Sequence, residues 1–212
     1  DADRAFTAYR RALAILIDNA VPSERELIRR LEELLARAAK WPELVSVYDD
    51  VIARADDALR RESLTKRARL LEQGVGDAGK AIEGWRDVVL SVEGEPAAEA
   101  TYREAVTELD RLYRSRAQWR DLVDLYEARL SRSQHPVEVA ELRLAISDVH
   151  EQHLQDLNAA IDQHDQVIAD GMLWERAVAS LERLVVHEQH RERSAELLEP
   201  VYREQDWWQK LV

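Results

Sequence analysis

A fourteen-residue pattern occurs twice in this chain and limits its fold more than any other feature. WPELVSVYDDVIAR begins at Trp41 and WRDLVDLYEARLSR at Trp119, 78 residues apart, with Trp, Leu, Val, Tyr and Arg at matching places. A second type of segment alternates with it: DADRAFTAYRRAL from Asp1, DAGKAIEGWRDVV from Asp77 and DLNAAIDQHDQVI from Asp156, at offsets of 76 and 79. Self-similarity on this scale means one supersecondary unit stacked on its own copies, because a single unit cannot bury its apolar face alone.

Both segment types place apolar residues at helical spacing. Leu44, Val45, Tyr48, Val51 and Ile52 do so in one; Ala81, Ile82, Trp85, Val88 and Val89 do so in the other. Each reads as an amphipathic helix with one buried stripe. The helices between them open on recognisable signals: Ser23 with Glu26 as a capping box, and Pro96 and Pro136 near first-turn positions. Gly171 marks a stop before the apolar stripe Ala177, Val178, Leu181, Leu184 and Val185. Helices are predicted near 1–17, 23–39, 41–57, 60–75, 77–92, 97–116, 118–132, 136–153, 156–169, 173–189 and 191–205, with a twelfth starting at Trp207.

Six Gly and five Pro in 212 residues leave little material for a turn-rich β architecture, so the expected class is all-α. The order of Asp, Ala, aliphatic, aromatic and small residues resembles the second helix of a tetratricopeptide repeat. Asp1, Ala5, Phe6, Tyr9, Ala12 and Leu13 fit it best. Ile28, Leu31 and Leu35, and again Val106, Leu109 and Tyr113, stand where the family has the Trp, Leu and Tyr of its first helix. Glu32 and Asp110 replace its usual Gly. The resemblance implies an α-α superhelix, a solenoid of stacked antiparallel helix pairs over residues 1–212, divergent from the standard repeat. The chain begins at Asp1 rather than Met, and it is read as a fragment of a longer protein.

Thirty basic residues against 42 acidic ones give a net charge of −12. A chain that repels phosphate gains nothing from counterion release, so nucleic-acid binding is not expected. The excess of Arg over Lys, with many Ala, points to a bacterial origin. No cysteine is present, which removes disulfides, thiolate metal sites and thiol nucleophiles. No apolar run approaches the roughly 20 residues of a membrane span. A cytoplasmic location is expected, with a periplasmic one left open.

Candidate chemistry is sparse. His150 with His153, and His187 with His190, are spaced i, i+3. A metal needs further ligands, which Asp148, Glu151, Asp156 or Glu188 would have to supply. Placement in the last turn of a helix, where the macrodipole favours a cation, accounts for both pairs more simply. His164 takes the slot of Trp85 and Tyr9 in the sister segments and is read as packed. Trp41, Trp85 and Trp119 are likewise read as core rather than as a ligand cage. No phosphate loop, nucleophile elbow or HExxH motif occurs. The reading is a non-enzymatic chain with no cofactor and no metal.

A helix-pair solenoid offers a groove lined by the first helix of each pair, suited to peptides or helices of a partner. Arg29, Glu33, Arg37, Arg69, Arg111, Arg114 and Arg143 flank the apolar stripes of those helices. Arginines facing a groove would select carboxylates, and thus an acidic protein or peptide, unless neighbouring Glu residues already neutralise them. The resemblance does not carry over the Lys and Asn set by which some members of the family clamp a chaperone tail, since Glu33 stands where an Asn is needed. The expected function is a protein-interaction scaffold. The alternative is a sensor whose groove takes a small ligand or peptide and controls an attached effector domain. LEPVYREQDWWQKLV from Leu198 matches LDRLYRSRAQWRDLV from Leu109. Trp207, Trp208, Leu211 and Val212 are therefore expected to lack neighbours and to promote self-association.

Overall fold

The computed structural model describes residues 6–8, 10–12 and 24–210, with only the backbone of Glu24 and Trp208. Among them are eleven helices and no strand. Residues 6–8 and 10–12 belong to α1. There follow α2 (Glu24–Arg37), α3 (Trp41–Arg54), α4 (Asp57–Gln73), α5 (Ala78–Ser91) and α6 (Glu99–Ser115). Then come α7 (Trp119–Arg132), α8 (Pro136–Val149), α9 (Leu157–Asp170), α10 (Trp174–Leu184) and α11 (Arg191–Glu204). Short 3-10 turns occupy Pro96–Ala98 and Trp208–Lys210, and a π-helical turn spans His150–Leu154. The chain divides into two compact units, Asp1–Leu112 and Tyr113–Val212, with the division inside α6.

The repeat seen in the sequence reappears as a repeated backbone turn. Ala39, Ala117 and Asp206 all take the left-handed conformation, at φ 52°, 53° and 56°. After each, an amide closes on a carbonyl five residues back: Lys40 N to Leu35 O at 2.9 Å, Gln118 N to Tyr113 O at 2.9 Å, and Trp207 N to Tyr202 O at 2.8 Å. This is the Schellman closure, which satisfies the orphan carbonyls of a helix end. A side chain in that conformation costs roughly 1–2 kcal/mol, so the turn is held by the helix that comes next. That helix opens on Trp41, Trp119 or Trp208.

The second segment type shares another turn. Asp77 accepts from Lys80 N at 3.0 Å and Asp156 from Ala159 N at 3.0 Å. Each comes after a left-handed residue, Gly76 at φ 76° or Gln155 at φ 56°. The amide of each Asp bonds six residues back, to Leu71 O at 2.9 Å or His150 O at 3.0 Å. Asp1, Ala5, Tyr9, Leu13 and the Ser23 cap lie outside the described residues.

Consecutive helices pack on one another: α2 on α3, α3 on α4 and α4 on α5 in the first unit, and α7 through α11 in the same manner in the second. Ile28, Leu31 and Leu35 of α2 pack with Leu44, Val47, Tyr48 and Val51 of α3. The buried position in α3 is Val47 rather than the predicted Val45, which is only partly covered. Trp85, 1% exposed, fills the centre of the α5 stripe. A Cβ on Gly84 would lie 3.2 Å from Ala68 Cα, so the missing side chain sets how closely α4 and α5 approach. In the second unit Ile161, Val178, Leu181, Leu184, Leu198, Val201 and Tyr202 form one cluster.

Ion pairs order the helices of the first unit. Lys66 of α4 reaches Glu32 of α2 at 2.9 Å, while Arg69 and Glu72 of α4 reach Glu104 and Arg111 of α6. Arg67 of α4 holds Asp49 of α3 at 2.7 Å and Asp87 of α5 at 3.5 Å. Thus α4 runs beside α2 and α6 on one side of the unit and against α3 and α5 on the other.

Several predicted boundaries shift for local reasons. Helix α4 starts at Asp57 instead of 60, because Asp56 accepts from Leu59 N at 2.8 Å and caps it. Helix α10 stops at Leu184 rather than 189, so His187 lies in a turn and His190 precedes α11. The dipole account of that histidine pair is therefore replaced. The predicted helix at 136–153 ends as α8 at Val149 and continues as the π turn.

Candidate functional site

Successive turns of α4 place Arg61, Thr65 and Arg69 on one line and Glu62 and Lys66 beside it, since residues four apart share a helix face. Two hollows flank this line. One, of about 400 Å³, is floored by Ala58, Ala97 and Ala98 and walled by Arg61, Glu62, Thr65 and Thr101. The other, of about 350 Å³, is bounded by Trp41, Leu70 and Gly74 on its apolar side and by Glu32, Tyr48 and Gln73 on its polar side. Lys66 and Arg69 line both.

The charges around them are mostly matched. Lys66 Nζ sits 2.9 Å from Glu32 and 3.1 Å from Glu62. Burial pulls its pKa down, but hydrogen bonds to the two carboxylates outweigh this and the net displacement is upward. Tyr48 donates to Glu32 Oε1 at 3.0 Å. Burial, and then the Glu32 charge, push that phenol well above its ordinary value. Arg61 differs: it is half-buried, and among the described residues no carboxylate lies within ion-pair distance of it.

The arginines expected in a groove are engaged, Arg37 excepted. Arg29 is held by Glu26 at 2.9 Å and by Glu33 at 2.5 Å on its own helix. Arg29, followed by Arg30, holds the Glu26 carboxyl down to about 2. Arg69 pairs with Glu104, and Arg111 with both Glu72 and Glu108. Arg143 turns to Asp170 at 3.2 Å and Gln163 at 3.4 Å. Arg114 donates to the Tyr126 hydroxyl at 2.7 Å, which turns it towards α7. Arg37 is exposed in the last turn of α2. Of the seven expected residues, only Arg69 lines either hollow. Arg61 and Lys66 carry no signal in the sequence, because they sit among other charges on a helix with no clear apolar stripe.

The histidines split into different roles. Among the described residues no group of three His, Asp or Glu is placed to hold a metal ion. His164 is 1% exposed in the Trp85 slot, as its register predicts. Neither ring nitrogen has a hydrogen-bond partner, and burial lowers its pKa to about 4, with Arg183 adding to the effect. His153 lies flat on Trp119, ring centroids 3.6 Å apart and planes 2° from parallel. Trp85 is core as expected, whereas Trp41 and Trp119 are only partly covered.

At the C-terminal end Trp207, 36% exposed, does have neighbours. Its ring is 6.0 Å from Trp174 and 6.1 Å from Tyr202, with Lys210 Nζ 4.8 Å above it. Lys210 in turn binds Glu182 at 2.5 Å. The Trp208 side chain, Leu211 and Val212 lie outside the described residues.

No protein-family model matches this chain, and no curated protein matches it either. No described helix is long and apolar enough to cross a membrane.

Proposed function

We propose that this chain is a non-enzymatic protein-interaction scaffold that receives a partner segment on the α2, α4 and α6 side of its first unit. We read the helices as antiparallel pairs of a tetratricopeptide-like α-α superhelix. The side-by-side run of α2, α4 and α6 and the recurrence of two turn types support that reading. The observation that carries the function is the pair of adjoining hollows along α4, sharing Lys66 and Arg69. Arg61 stands beside them, half-buried and without an acid among the described residues.

A half-buried guanidinium without an acid gains most when a carboxylate arrives, because the local dielectric is low and its bidentate donors are unmatched. An acidic segment is therefore the favoured partner, and Arg61 is its anchor in place of the arginines already paired. The test is a photo-crosslinking residue at Thr101 in the protein within its native cell. One dominant protein adduct is expected, and it should disappear in an Arg61→Glu variant whose helicity is unchanged. Absence of an adduct, or an adduct indifferent to that substitution, refutes the function.

A further inference from the structure

The two repeats place different groups in the same position. Gly74 stands three residues before the capping Asp77, and His153 stands three residues before the capping Asp156. In both, the closing amide returns six residues, so the two positions are equivalent in the turn. Trp41 and Trp119 are also equivalent, each the first residue of its helix after the same left-handed closure. In the second unit the His153 ring covers Trp119 in a parallel stack at 3.6 Å. In the first unit no ring is available at Gly74, and a hollow of about 350 Å³ borders Trp41 and Gly74 instead. A Cβ built on Gly74 would sit 2.8 Å from Leu70 Cδ1, 3.1 Å from Leu70 O and 3.1 Å from Trp41 Cδ2, so a side chain at this position would adjoin the Trp41 ring once the flexible end of Leu70 moves aside. Gly74 itself has ordinary right-handed helical angles, φ −94° and ψ −52°, so the backbone does not demand glycine here.

We propose that the hollow at Trp41 is a binding site for a planar aromatic side chain, which stacks on Trp41 as His153 stacks on Trp119. The occupant is an aromatic residue of the partner segment, so this inference rests on the proposed scaffold function and deepens it. Leu70 and the Trp41 ring supply the apolar contact. Tyr48, Gln73 and Lys66 offer hydrogen-bonding groups to the rim of a phenol or indole. A flat ring laid on the indole brings its whole face into van der Waals contact, which an aliphatic branch does not. A stack of this kind adds a directional requirement to the carboxylate sought by Arg61, and together they define a segment with one acidic and one aromatic residue.

The test uses N-acetyl-4-fluorophenylalaninamide as probe, followed by ¹⁹F line broadening on the whole chain. The expected result is weak, fast-exchange binding at one site, displaced by N-acetyltyrosinamide and not by N-acetylleucinamide. Gly74→His should place an internal ring on Trp41 and raise the Kd about tenfold or more, a loss of one stacked contact. His153→Gly should uncover Trp119 and add a second site. Should Gly74→His unfold the chain by circular dichroism, Trp41→Leu serves instead and must weaken the probe equally. The inference is overturned if the wild-type chain leaves the probe unbroadened, if the leucine amide competes as well as the tyrosine amide, if both Trp41-site variants bind normally, or if His153→Gly adds no site. The probe needs no partner, so its failure leaves the scaffold function to be decided separately by the Thr101 adduct and its dependence on Arg61.

Discussion

His164 should make the stability of the second unit depend on pH. Its imidazole is buried and has no partner at either nitrogen, and its pKa falls from 6.5 to about 4. Above both values the ring is neutral in the folded and unfolded chain, and the full stability is present. As the pH falls through 6.5, the unfolded chain takes up a proton that the folded chain refuses, so the unfolded state gains. Each pKa unit is worth about 1.36 kcal/mol, so about 2 kcal/mol is lost by about pH 5 and about 3 kcal/mol once the pH is below both values. His164→Phe keeps a ring in the slot, removes the titration and removes two unpaired nitrogens, each of which costs about 1 kcal/mol or more when buried. Urea unfolding followed by far-ultraviolet circular dichroism between about pH 7 and pH 5 gives the comparison. The wild-type chain should lose stability along that range while the His164→Phe chain stays nearly level. Parallel curves for the two would mean that His164 finds a partner or water in solution, and the reasoning from its burial would be wrong.

Single contacts set the other expectations. Asp77→Ala and Asp156→Ala each remove a helix cap with the same geometry, and each should cost about 1 kcal/mol in denaturant melts, with no loss of partner adduct. Gly84→Leu has no space against Ala68, and overpacking there should lower the thermal midpoint by the equivalent of about 1–3 kcal/mol. Tyr48→Phe deletes the hydrogen bond to Glu32 while leaving Lys66 on that carboxylate, a loss of about 1 kcal/mol that a chemical melt resolves.

Much of the helix layout is legible from periodicity and caps, because both are local. The stripes Ile28, Leu31, Leu35 and Ala81, Ile82, Trp85, Val88 emerge buried as their spacing requires. The slot of His164 is legible from register alone. What is not legible depends on partners far along the chain. Arg111 looks free beside its stripe, yet Glu72, 39 residues earlier, reaches it across two helices. Asp56 and Asp57 look like a solvated acidic pair, yet Asp56 is the cap that advances the start of α4. Arg61 escapes a reading of the sequence for the converse reason: among the described residues its distinguishing property is a missing partner, and absence leaves no mark on a charge pattern.

Comparison of the two repeats separates what holds the fold from what differentiates its copies. Leu44 and Leu122, Tyr48 and Tyr126, Ala81 and Ala160, and Ile82 and Ile161 match in type and are all buried, so they set packing. Mismatches occur in every paired segment, three of them on or next to α4. Gly74 becomes His153, Gly84 becomes Gln163 and Ala68 becomes Ser147, each larger or more polar in the second copy. Gln163 receives a hydrogen bond from Arg143, and the His153 ring lies on Trp119, so two of these added side chains are used inside the second unit. The phenols show the same divergence in charge: Tyr48 donates to a carboxylate, whereas Tyr126 accepts from the Arg114 guanidinium. A scaffold built from equivalent turns needs such differences to place a partner in one register, because identical copies would bind a segment equally well at either. Of the three differences only Gly74 against His153 borders a hollow, because Ala68 and Gly84 face each other in the contact of α4 with α5; under the proposed function it is this difference that would set the first copy apart from the second.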